Sequence, residues 1–118
     1  MKFLCVYKPS KGEGSPPTEE EMTKMGQYIE ESMKSGTLIA TEGCLPSALG
    51  ARVRRSQGKL NVIDGPFTES KELIGGFALI RANSKAEAIE IVKNFLDVAG
   101  DGETEIRQIY EADSTPTT

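Results

Sequence analysis

Apolar positions in this chain follow two rhythms, and the changes from one to the other mark out its elements. Residues 2–8 are rich in Phe, Val and Tyr and are apolar on both phases of a two-residue period, as in a strand covered on both faces. That predicts a central strand. Residues 11–17 read as a Gly, Ser and Pro loop, after which Thr18, with Glu21 three positions on, makes the capping box that opens a helix. Met22, Met25, Ile29 and Met33 recur at helical spacing, Glu30, Glu31 and Lys34 lie off that stripe, and Gly36 supplies the stop. The expected element is an amphipathic helix lying on a sheet.

Residues 37–42 predict a second strand, ended by Gly43 and by Leu45-Pro46. Residues 51–56 and 59–64 read as the two arms of a hairpin across Gln57-Gly58, the most polar element of the chain. Residues 76–82 are again apolar on both phases and are expected beside the first strand in the sheet interior. Ser84 and Glu87 repeat the capping-box pattern, and Ala88, Ile89, Val92, Phe95 and Leu96 are expected to face inward from the helix that follows. Residues 103–111 form a last strand. We read residues 1–112 as one domain and residues 113–118 as a flexible polar tail.

With the hairpin set aside, the order is strand, helix, strand, strand, helix, strand. This is the split β-α-β arrangement of a ferredoxin-like α+β sandwich, carrying the hairpin as an insertion. Two helices cover one face of a four-stranded sheet, yet two of the strands are apolar on both faces. A second copy of the chain is the simplest cover, so a homodimer packed sheet to sheet is expected.

Composition narrows the function. A length of 118 residues suits one domain, and a formal net charge of −4 argues against nonspecific nucleic-acid binding. No apolar run approaches the roughly 20 residues that span a bilayer. The first apolar stretch is broken by Lys8-Pro9 before it reaches the length of a secretory segment, so a cytoplasmic protein with no membrane partner is expected. Cys5 and Cys44 are read as reduced thiols. The chain has no His, and Gly12-Glu13-Gly14 is not completed into a dinucleotide fingerprint, so neither metal nor cofactor is expected.

The segment 64–72 with Gly75-Gly76-Phe77 is the most distinctive stretch. Asp64-Gly65-Pro66 ends an apolar run, Pro66 fixes its own φ, and the Gly pair permits close backbone approach. Asp64 and Glu69 are the acid/base candidates, since two carboxylates in one pocket raise one pKa; the plainer reading is a turn-forming Asp and a solvated charged run. Glu42 sits at a strand end, Arg54 shares a hairpin face with Arg52, Arg107 lies in the last strand, and Tyr7 offers a hydroxyl from an apolar wall. These four are the ligand-binding candidates. Their plainer readings are an edge-blocking hairpin, a structural ion pair and core packing.

Asp64-Gly65-Pro66-Phe67 with Glu69, Lys71 and Glu72 resembles the YCII-related family, and within it the subgroup named for the Asp-Gly-Pro-Phe motif. Glu42-Gly43, Leu45-Pro46, Val53-Arg54, Gly75-Gly76-Phe77, Ala86-Glu87-Ala88 and Glu105-Ile106-Arg107 extend the similarity over nearly the whole chain. The resemblance implies a dimeric α+β barrel of ferredoxin-like subunits. Some relatives resemble cofactor-free lyases or dehalogenases of small acids, and others are associated with alternative sigma factors. The family's proposed enzymes use a His and Asp dyad with the His on the first helix, where this chain has Met25 or a near neighbour. That chemistry does not carry over.

The leading expectation is a homodimer that binds a small anionic metabolite in a cleft between sheet and hairpin. Asp64 and Glu42 would shape that cleft, and Arg54 and Arg107 would meet the ligand's charge. The alternatives are a cofactor-independent lyase or isomerase using Asp64 or Glu69, and a protein-interaction module linked to transcription.

Overall fold

The computed structural model describes residues 1–11, 16–67 and 73–111. Glu69, Lys71, Glu72 and the expected tail at 113–118 lie outside the described residues. Six strands and two helices follow one another as β1 (Lys2–Pro9), α1 (Glu19–Lys34), β2 (Leu38–Gly43), β3 (Ala51–Ser56), β4 (Lys59–Asp64), β5 (Gly76–Arg81), α2 (Lys85–Ala99) and β6 (Gly102–Gln108). A four-stranded antiparallel sheet has the order β2-β5-β1-β6, and β3 and β4 form a separate two-stranded sheet. The fold is a ferredoxin-like α+β sandwich with an inserted hairpin. β1 and β5 hold the two central places, where apolar side chains on both phases are needed.

Both helices begin as their sequences dictate, with one difference. Thr18 accepts from the Glu21 N–H at 3.1 Å and Glu21 returns a bond to the Thr18 N–H, completing the box. Ser84 caps the Glu87 N–H at 3.1 Å, but the Glu87 carboxylate accepts from Asn83 Nδ2 instead, so the second box is half made. The expected inward stripe of α1 is rolled. Met25, Tyr28, Ile29 and Ser32 are half-buried while Met22 and Met33 are exposed, and Tyr28 meets Phe95 of α2 with ring centroids 6.4 Å apart. On α2, Ala88 and Val92 are buried, Ile91, Phe95 and Leu96 are half-buried, and Ile89 lies exposed at the margin, contrary to the inward place expected of it.

The core lies between the helices and one sheet face. Phe3 and Cys5 of β1, Leu38 of β2, Ile80 of β5, and Ala88 and Val92 of α2 form its buried centre. Phe3, opposite Ile80, is almost wholly enclosed, and burying such a side chain contributes about 1.5–3 kcal/mol. The other sheet face has no helix among the described residues.

Across that open face run two rows of opposed residues, Glu42, Phe77, Val6 and Glu105, then Ala40, Leu79, Leu4 and Arg107. Each row is apolar at the centre and charged at one or both margins. A register shift between Leu38 and Ala40 places β2 in this arrangement. Plain alternation from buried Leu38 would turn Ala40 and Glu42 toward the helices; the bulge turns them outward.

The hairpin leaves the sheet between β2 and β5. Gln57 and Gly58 both have positive φ, 51° and 77°, the two-residue turn that matches the twist of paired strands. Every residue of β4 is exposed, and the hairpin makes no more than marginal contact with any helix or with the four-stranded sheet. It is an arm extending from the body. Among the described residues, no helix is long and apolar enough to cross a membrane.

Candidate functional site

The 64–67 corner is built where the arm meets the body. A short 3-10 turn, Ser47–Leu49, precedes β3, and the Gly65 N–H donates to the Gly50 carbonyl at 3.0 Å. The Phe67 N–H donates to Ser47 Oγ at 3.0 Å. A Cβ on Gly65 would overlap the Ser47 carbonyl oxygen, so only glycine lets the two backbones meet this closely. The Gly65-Pro66 bond is cis. The Arg52 guanidinium lies over the Phe67 ring, 3.8 Å from its centroid, a cation–π contact that ties β3 to the corner. The corner therefore braces the root of the arm.

Strand register sorts the arm's residues onto two faces. Arg52 opposes Ile63 and Arg54 opposes Asn61 on one face, while Val53 opposes Val62, Arg55 opposes Leu60 and Ala51 opposes Asp64 on the other. Arg52 and Arg54 thus form a cationic face that starts at Phe67 and runs outward.

The sequence candidates are dispersed. Asp64 ends β4, exposed, on the opposite face of the arm from Arg54. Glu42 and Arg107 share the open face of the main sheet but lie on its two outer strands, three strand spacings or roughly 14 Å apart across the sheet and a further row apart along it. Arg107 pairs with its neighbour Glu105 at 3.2 Å, and Glu105 also meets Lys8 Nζ at 3.6 Å. This exposed charged edge answers the expected ion pair with a different carboxylate from Asp64 or Glu42. Glu69 lies outside the described residues.

Tyr7 turns to the other side of the sheet. Its ring meets Phe95 edge-on at 5.3 Å, and its hydroxyl donates to the Asp101 carbonyl at 3.2 Å. Burial, with a smaller contribution from the Asp101 charge, holds its pKa above the usual tyrosine value. A Cβ on Gly102 would stand 2.7 Å from Tyr7 Cε1 and one on Gly75 would stand 3.2 Å from its Cδ2, so both glycines make room for this ring. Tyr7 is half-buried against Phe95 on the helix side of the sheet, and within one chain Arg54 and Arg107 stand in separate sheets. The cleft expected between sheet and hairpin is not walled by these two elements of a single chain.

An open depression of about 300 Å³ lies between the end of α1 and the start of α2, with Thr37, Arg81, Asn83 and Glu87 on its walls. It contains none of the sequence candidates. Among the described residues, no three of His, Cys, Asp or Glu converge in a way that suits a metal ion. Cys5 is buried and Cys44 exposed, both free, and burial pushes the Cys5 thiol up to about 11.

Sequence reasoning passed over Ser47, and it named Arg52 with Arg54 and Lys59 as cations that could hold an anionic ligand, without foreseeing the contact with Phe67. Ser47 is reached through an interaction twenty residues away along the chain, and a local pattern carries no trace of it. Arg52 did leave a signal, since it shares its hairpin face with Arg54 at a two-residue spacing.

The fold and its braced arm define a ferredoxin-like protein in which, among the described residues, no helix covers one face of the sheet. The chain belongs to the YCII-related family, whose model matches residues 1–113. Over 76 residues, 64% of this chain, it is 32% identical to an uncharacterized protein of Rhizobium meliloti (strain 1021), and it spans 61% of that relative's length. A similar solved structure is that of 5-chloro-2-hydroxyhydroquinone dehydrochlorinase (TftG) from Burkholderia phenoliruptrix AC1100, in complex with 2,5-dihydroxybenzoquinone. It is 19% identical, with a TM-score of 0.46 over 95% of this chain and 96% of that one.

Proposed function

We propose that this YCII-related chain acts as a homodimer, joined across the open sheet face, that binds a small anionic metabolite beside the 64–67 corner. The observation that carries the reading is the cationic face of the arm. Arg52 is oriented by the Phe67 ring, and exposed Arg54 follows on the same face, about 6.6 Å further along the strand. The exposed Arg54 guanidinium suits the oxygens of a small carboxylic acid, which it can take in bidentate fashion, and the Arg52 charge beside it adds to the local positive potential.

The sheet face supports the dimer. Leu4, Val6, Phe77 and Leu79 supply an apolar centre, and Glu42 and the Lys8, Glu105 and Arg107 cluster supply a charged rim, the usual anatomy of an interface. The test is thermal denaturation against a panel of small mono- and dicarboxylic acids at low salt. The expected result is a rise in Tm that falls with added salt and is lost in Arg54→Ala. No rise with any acid in the panel, or an equal rise in the variant, refutes the assignment.

A further inference from the structure

The face of the arm turned away from Arg52 and Arg54 has no account in ligand binding. Val53, Leu60 and Val62 sit together there, 70%, 69% and 66% exposed, each opposite another member of that face. Three large apolar side chains on a two-stranded arm that makes little contact with the helices or the four-stranded sheet among the described residues form a patch that monomeric proteins rarely leave bare. An isolated two-stranded hairpin is marginal in water, so the arm gains from being covered. Its root is braced by Gly65, Ser47 and the Arg52 contact with Phe67, so the patch is held out in a set direction.

We infer that this apolar arm face is buried against a second copy of the chain, extending the sheet-to-sheet dimer beyond the four-stranded sheet. The inference rests on the homodimer of the proposed function and adds a second contact region to it.

Three observations select a second copy as the occupant. The first is area. Four strands at about 4.8 Å spacing and six or so residues at about 3.3 Å give a flat footprint of roughly 400 Å², and an arm laid on the same partner adds to the accessible surface, about 800 Å² per partner, that a stable interface buries. The second is continuity: Leu45 and Leu49, both exposed, lie in the connection between the open sheet face and the arm, so apolar surface continues along the chain from one to the other. The third is charge. Residues 51–64 hold Arg52, Arg54, Arg55 and Lys59 but a single carboxylate, Asp64, in a chain with 14 cations and 18 carboxylates. The remainder of a second copy therefore carries a net negative charge, and Arg55 projects from the apolar face itself.

The experiment is sedimentation of the full chain over a range of concentrations, comparing the wild type with Val53→Thr/Val62→Thr. These isosteric changes at exposed strand positions keep the β preference of the arm. The expected result is a dimer whose dissociation constant rises at least tenfold in the variant. A wild-type dimer unaffected by the substitutions overturns the inference and leaves the sheet-to-sheet dimer standing; a wild type that remains monomeric removes both. Amide exchange on the wild type gives a reading independent of the variant's folding. Arm amides should become protected as the dimer forms, and protection that ignores concentration counts against the inference. Sedimentation with phosphatidylserine vesicles tests another occupant. Vesicle binding by the wild type that is lost in the variant, with the dimer unchanged, overturns the proposal in favour of a lipid surface.

Discussion

Gly65 shows how much depends on one absent Cβ. The Ser47 carbonyl oxygen occupies the space that an alanine side chain would fill, and the Gly65 N–H is already committed to Gly50, so neither backbone can give way without losing the brace. Gly65→Ala is expected to cost about 1–3 kcal/mol in urea denaturation and to speed amide exchange around Gly50 and Arg52. At Cys5 the physics is protonic. Its thiol titrates near 11 in the fold against an ordinary 9.0, so its contribution to stability is complete below pH 9 and is lost as pH rises toward 11. That loss is of the order of 2 kcal/mol. Urea midpoints at pH 8 and pH 11 should differ more in the wild type than in Cys5→Ala. Residue chemistry was partly legible in advance: the break expected where Asp64-Gly65-Pro66 ends an apolar run is present at the end of β4, while residues 68–72 of the same stretch lie outside the described residues. That Asp64 and Arg54 lie on opposite arm faces follows from the register of the hairpin, which pairs Asp64 with Ala51 and Arg54 with Asn61, and the single cleft expected to hold both does not accommodate it.

At the scale of elements, local signals carried furthest. The box at Thr18 and Glu21 forms as its spacing implies, and Thr18→Ala should lower stability by about 1 kcal/mol, visible as a drop in Tm. The hairpin turn at Gln57-Gly58 and the two central strands are equally local in origin, set by positive φ and by apolar residues on both phases. Departures occur where tertiary partners intervene. α1 is rolled so that Tyr28 leans on Phe95, exposing Met22 and Met33 that period alone would bury. The bulge in β2 turns Glu42 to the open face, and no two-residue alternation foretells a register shift whose cause is pairing with β5.

At the scale of the molecule, an open sheet face and an apolar arm point the same way. If a second copy covers both, unfolding separates two chains, and Tm should climb with protein concentration in calorimetry. A Tm independent of concentration counts against the dimer. The order of elements, the ferredoxin-like class and the excess of apolar surface over what two helices can cover were all determined by the amino-acid sequence. Each of these follows from periodicity and local backbone preference, which act within a few residues. Tertiary structure alone decided that Tyr7 packs edge-on against Phe95, that Arg107 joins Glu105 and Lys8, and that Ser47 accepts from the Phe67 N–H at the root of the arm. Those placements depend on strand register and on contacts between residues far apart in the chain, and such contacts exist only once the backbone has closed around them.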